Sequence, residues 1–180
     1  MIELSYTLDK DDYLAFQLFA ATKNPLFKRQ HRKSRILVFL LFATVGAVFL
    51  NFDTGLACYI FIFAAIVFLI YPFFGRRYSK SYLEKHVEQT FDPDCRVVSV
   101  SIDDRNVNMV DKKSTGSVKL SELVGITEIK DYFFMQVNKA SYIIIPKGKI
   151  ENVDALRNHL LECSKKLNIT YSDEMDWKWK

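Results

Sequence analysis

The sequence predicts a membrane protein of α+β class. Its parts are a hairpin of two transmembrane helices and a cytoplasmic antiparallel sheet capped by a C-terminal helix. Three observations predict this. Residues 36–50 and 56–74 are two apolar runs separated by a five-residue break, and Asp53 in that break is the only charged residue from 36 to 74. Between residues 96 and 145, short β-branched and aromatic runs alternate with turn residues. Then Val153, Leu156, Leu160, Cys163 and Leu167 recur at helical spacing on one face. A chain of 180 residues has room for one small domain and such an anchor.

The elements follow in order. Ile2, Leu4, Tyr6 and Leu8 alternate with polar residues, which predicts a half-buried strand. Asp9 is a good helix N-cap, and Asp11 and Asp12 sit where the helix dipole favours negative charge, so residues 10–22 read as an amphipathic helix. Asn24-Pro25 interrupts it. The first apolar run extends about 23 Å as a helix, short against a hydrocarbon core of roughly 30 Å. Asn51 and Phe52 can extend it, and Arg35 can snorkel to the interface. Small residues Ala43, Gly46 and Ala47 on one run, with Ala57, Ala64 and Ala65 on the other, allow close approach of the two backbones. No group ionisable near neutral pH lies inside either run, which speaks against an ion path.

After Pro72 and Gly75, residues 76–90 read as a juxtamembrane helix that Asp92-Pro93-Asp94 ends. Strands are expected at 96–102, 107–110, 117–120, 126–130, 132–137 and 141–145, with a helical turn at 121–123. The turns between strands are Asp103 to Asn106, Lys112 to Gly116, and Asn138 to Ala140. Asn152 caps the final helix, Val153–Leu167. The organisation is 1–27, packed with the C-terminal part; 28–77, the hairpin; 78–94, the juxtamembrane helix; 95–170, the cytoplasmic domain; and 171–180, a tail. The polar, acidic start has no positive n-region or apolar h-region, so no cleaved signal peptide is expected.

The net charge of +4 is unevenly spread. Residues 23–35 hold six basic residues and no acid, while residues 86–180 are close to neutral. The basic character belongs to the hairpin flanks, Lys28, Arg29, Arg32, Lys33, Arg35, Arg76 and Arg77, and not to a nucleic-acid-binding face. These side chains have two readings: topology determinants and contacts to anionic lipid headgroups. By the positive-inside rule both termini are cytoplasmic, and the chain is a multi-pass protein of the plasma membrane.

The short strand leading into DDYLAF, the hairpin with basic flanks, EIKDYFFM (residues 128–135) and YIIIPKGKI (residues 142–150) together resemble the YcxB-like family of bacterial membrane proteins. The resemblance implies a cytoplasmic part similar to a pleckstrin-homology-like fold. It implies no activity and no catalytic residue. Many members carry Trp where Leu120 stands, so the local packing there departs from the family. If both termini are cytoplasmic, the first strand can join the later sheet, and the hairpin becomes an insertion in one domain.

Little in the chain suggests chemistry. His31, His86 and His159 are scattered, and no metal-ligand, phosphate-loop or nucleophile motif is present, so no enzyme, metal or cofactor is expected. Cys58, Cys95 and Cys163 read as free thiols. Asp103-Asp104 reads as a turn rather than an acid pair. Lys147 and Lys149 read as a solvated turn or as contacts to lipid phosphate. Tyr132, Phe133, Phe134 and Tyr142 read as sheet core or as a ligand groove. Trp177 and Trp179, each followed by Lys, suit a membrane interface or a disordered tail. The expectation is a non-enzymatic binding or scaffold protein with an unidentified protein partner and a capacity for homo-oligomers. Analogy alone adds an accessory role in envelope stress or immunity. The alternative is a subunit of a small oligomeric transporter or channel.

Overall fold

The computed structural model describes residues 2–91, 97–103, 105–111, 115–138 and 141–179. The expected ends at Asp92-Pro93-Asp94, residue Cys95, and parts of three turns (Asp104, 112–114 and 139–140) lie outside them. The chain divides into two compact units, Met1–Phe16 with Val87–Trp179, and Gln17–His86.

The order is β1 (Ile2–Thr7), α1 (Lys10–Lys23), α2 (Pro25–Phe49), α3 (Thr54–Thr90), β2 (Val97–Ile102), β3 (Asn106–Val110), β4 (Thr115–Lys119), β5 (Gly125–Ile129), β6 (Tyr132–Gln136), β7 (Tyr142–Pro146), α4 (Val153–Leu167) and β8 (Thr170–Glu174). The architecture is α+β, with four α-helices and two four-stranded sheets among the described residues, where the sequence suggested one sheet.

In the first unit the strand order is β1-β2-β3-β4 in one sheet and β7-β6-β5-β8 in the other. β1 pairs antiparallel with β2, from Ile2 opposite Ile102 to Thr7 opposite Val97, across the 89 residues that lie between them in sequence. Tyr6 links the sheets: its buried hydroxyl donates to the Ile144 carbonyl oxygen at 2.8 Å. β6 is buried on both faces, because Phe133, Phe134 and Met135 are all inaccessible. Phe134 and Tyr142 on one face meet the ring of Phe16 from α1. The other face, with Ile126, Glu128, Phe133 and Ile145, lies on the side of α4, whose Arg157 reaches Glu128.

Two departures concern the end of the chain. The helix does not finish the fold, and 171–180 is not simply a tail. Asn168 ends α4 in the left-handed conformation (φ 54°), which turns the chain back so that β8 pairs parallel with β5. Ile169, Thr170 and Tyr171 are good strand formers that the sequence reading left unassigned.

Capping is local and visible in the sequence. Asp9 Oδ1 accepts from Asp12 N, and Asp12 Oδ2 accepts from Asp9 N, a reciprocal capping box. Asn24 caps α2 with Pro25 at its first position, Asp53 accepts from Gly55 N and Leu56 N at the start of α3, and Asn152 accepts from Ala155 N at the start of α4.

The helices of the second unit are longer than expected. α2 includes the basic segment, and α3 continues without a break through Pro72 and Gly75, so the apolar run and the juxtamembrane helix are one element. The strong helix pattern on both sides of Pro72 outweighs one missing hydrogen bond. α3 is long and apolar enough to cross a membrane, the one helix of that kind among the described residues. α2 does not qualify by itself: its uncharged part is only residues 36–49, about 21 Å.

An aromatic and basic groove between two helices

α2 and α3 pair antiparallel. The Phe39 ring meets Phe68 with centroids 5.3 Å apart, and Phe42 meets Phe63 at the same distance. Further along, Gly46 is buried where a Cβ would lie 3.1 Å from the Phe61 ring, so only glycine permits this approach without displacing its neighbour. Arg35 belongs to this packing. Its Nε donates to the Phe68 carbonyl oxygen at 3.0 Å, and its guanidinium stacks 3.7 Å from the Phe68 ring centroid. It is therefore tied to the second helix by both contacts.

The other predicted basic residues, Lys28, Arg29, Arg32, Lys33, Arg76 and Arg77, are exposed. None of them meets a carboxylate among the described residues. They occupy the same turns of α2 and α3 as a groove of about 620 Å3. Phe27, Gln30, His31 and Ser34 line it from α2; Tyr71, Phe74, Gly75, Tyr78, Ser79 and Tyr82 line it from α3. Both sets recur at three- and four-residue spacing, so each is one helix face. The sequence reading missed this groove, although the aromatic recurrence on α3 was a signal for it.

Inside the groove, Ser79 Oγ donates to the Gly75 carbonyl oxygen at 2.8 Å and lies 3.0 Å from His31 Nε2. Which of Ser79 Oγ and His31 Nε2 donates to the other depends on the imidazole tautomer. The imidazole is held further by the Phe27 ring at 4.5 Å. Its Nδ1 faces the position where residue 75 has no side chain.

The first unit contains two charge clusters of a different kind. Glu128, on the core side of β5, is almost inaccessible. Its Oε1 accepts from Lys147 Nζ at 2.6 Å and Arg157 Nε at 2.9 Å, and its Oε2 from the Tyr171 hydroxyl. Burial alone would raise the Glu128 pKa, but the bonds from Arg157, Lys147 and Tyr171 outweigh it and hold it at about 2. Burial and the bond to Glu128 both raise the Tyr171 pKa.

The second cluster joins Lys149 Nζ to Asp9 Oδ2 and Asp12 Oδ2, each at 2.6 Å, and to the Thr7 carbonyl oxygen at 3.0 Å. The Tyr132 hydroxyl donates to Asp12 Oδ1 at 3.1 Å. Lys147 and Lys149 are thus both ion-paired within the domain. Likewise Phe133 and Phe134 are core. Replacing Asp12 with Ala is expected to lower stability by roughly 2 kcal/mol, because it strips Lys149, the Tyr132 hydroxyl and the Asp9 amide of one acceptor. Denaturant unfolding of the purified chain measures this.

Among the described residues no three His, Cys, Asp or Glu side chains gather as metal ligands do. Asp103 sits in a turn, its amide donating to the Asn106 carbonyl oxygen at 2.9 Å. Cys58 is a free thiol, and the buried Cys163 Sγ lies 3.7 Å from His159 Nε2.

The model of the YcxB-like protein family matches residues 102–160, from the end of β2 into α4. It supports, for this part of the chain, the family that the motifs suggested. The matched part contains Glu128, Lys147, Lys149 and Arg157 and none of the groove residues. No curated protein and no solved structure matches the chain.

Proposed function

We propose that this chain, YcxB-like over residues 102–160, is a non-enzymatic binding or scaffold protein held at the inner face of a plasma membrane by α2 and α3. One observation carries the membrane reading. The large apolar side chains of these helices point outward: Leu37 is 70% exposed, Leu41 63%, Leu69 72% and Phe73 67%. Within the two apolar runs the small residues Gly46, Ala57 and Ala64 are the buried ones. Water would favour the reverse, whereas lipid solvates the large side chains and lets small residues mediate helix contact.

In this reading both helices cross, α2 with the help of its antiparallel partner and local thinning of the bilayer. The basic start of α2 and the basic part of α3 then share the cytoplasmic side, and the loop around Asp53 faces outward. The α+β unit, with strands followed by α4, fits the pleckstrin-homology-like reading. Its binding surface is the edge and polar face of the first sheet rather than the buried aromatic strand. There Glu3, Ser5, Ser99, Ser101 and Asn108 line a shallow depression of about 320 Å3.

Three measurements test the proposal. The protein should stay in the membrane pellet through alkaline carbonate extraction. A cysteine at Asn51 should react with an impermeant maleimide in intact cells, while one at Glu84 should not. Reversing Lys28, Arg29, Arg32 and Lys33 to Glu should exchange or scramble these reactivities; unchanged labelling would refute the orientation. Crosslinking from membranes should return a second protein. Recovery of this chain alone, in a defined ring, would favour the oligomeric channel.

A further inference from the structure

An anchor requires only apolar length and flanking charge, yet α2 and α3 also build a groove with a polar lane and an aromatic wall. Gln30, His31, Ser34 and Ser79 form the lane, and His31 is fixed by Ser79 and Phe27. Tyr71 and Phe74 lead from it toward the apolar lengths of the helices. The sole carboxylate between Lys23 and Lys80 is Asp53, at the opposite ends of both helices. The potential around the groove is therefore set by Lys28, Arg29, Arg32, Lys33, Arg76 and Arg77. A ligand that suits this surroundings must be anionic at one end and apolar at the other.

We propose that the groove holds one anionic phospholipid. Its headgroup phosphate lies along Gln30, His31, Ser34 and Ser79, and its glycerol and first acyl carbons lie against Tyr71 and Phe74. Tyrosines at this level suit the membrane interface, being apolar along the ring and polar at the hydroxyl. Gly75 keeps the lane open: a Cβ there would lie at contact distance, 3.4 Å, from His31 Nδ1, so a longer side chain would fill the space between His31 and Tyr71. This inference rests on the membrane reading above.

The test uses the full chain reconstituted in phosphatidylcholine vesicles that contain a photoactivatable phosphatidylglycerol, with adducts mapped by peptide mass spectrometry. Adducts are expected on residues 27–34 and 71–82. Unlabelled phosphatidylglycerol should compete them away, and phosphatidylcholine should not. Gly75→Leu should lower the groove adducts about fivefold or more, the loss that about 1 kcal/mol of binding produces. His31→Phe with Ser79→Ala, which keeps the aromatic volume and removes the polar lane, should do the same. Equal labelling by a phosphatidylcholine probe, absence of adducts at these residues, or competition by free glycerol phosphate would each overturn the lipid site. Release of the protein by alkaline carbonate would overturn the anchoring reading and this inference together. Retention without groove adducts would overturn this inference alone.

Discussion

Glu128→Leu is expected to destabilise the α+β unit by about 3–5 kcal/mol, with a fall in Tm on the order of 10 °C. The reason is the company Glu128 keeps. Lys147 is only 9% exposed as a side chain, and its ammonium is balanced by Glu128 and by a contact 4.6 Å from the Phe133 ring centroid. Without the carboxylate a buried cation remains, and Arg157 and Tyr171 lose their acceptor. Combining Glu128→Leu with Lys147→Met should recover a substantial part of the loss, because the uncompensated charge is then removed too. Equal destabilisation in the single and double variants, measured by denaturant unfolding, would show that packing rather than charge pairing dominates.

The same cluster sets an acid limit. The Glu128 pKa is lowered from an ordinary 4.5 to about 2 in the folded chain. Because the folded value is depressed, the unfolded state binds the proton first. The contribution is therefore complete above pH 4.5 and is lost as pH falls through 2. A separation of this size corresponds to about 3 kcal/mol. In Glu128→Gln the stability profile between pH 5 and 2 should flatten by that amount, while stability near neutrality is already lower.

Much of the fold was legible because its signals are local. Alternation at residues 2–8, the caps Asp9 and Asn152, and the stripe on Val153–Leu167 each specify an element from a few neighbouring residues. What escaped reading depends on distance in sequence. Glu128, Lys147, Arg157 and Tyr171 come from β5, the turn after β7, α4 and β8, and each alone resembles a surface residue. One trace was present: Glu128 shares a strand face with Ile126, so a carboxylate stood at a core position and required a partner. The partners of Arg35 were hidden for a related reason: the Phe68 ring and carbonyl it meets lie on the other helix, 33 residues away in sequence. The groove required knowing that α3 continues past Pro72, since Tyr78, Ser79 and Tyr82 line it only if the helix face is unbroken.

Tyr6→Ala should be as damaging as loss of Glu128, costing about 3–5 kcal/mol, although Tyr6 stands 91 residues before the start of the next strand. β1 contributes a buried ring and an interstrand ladder to β2, and the Tyr6 hydroxyl bonds to Ile144 of the second sheet. If residues 2–7 were a dispensable leader to the helices, the substitution would change stability by no more than a surface replacement does. Tyr6→Phe separates the two parts of the effect. It keeps the ring and removes only the donor to a buried carbonyl, so about 1–2 kcal/mol is expected. Burial and the nearby Tyr13 and Asp12 also raise the Tyr6 pKa, so the hydroxyl remains a donor well above neutral pH. Hydrogen exchange gives an independent measure: the β1 amides should exchange with the same protection as those of β2, and both should lose it together in Tyr6→Ala. Fast exchange in residues 2–7 beside a protected β2 would mean that the helices precede the domain rather than interrupt it.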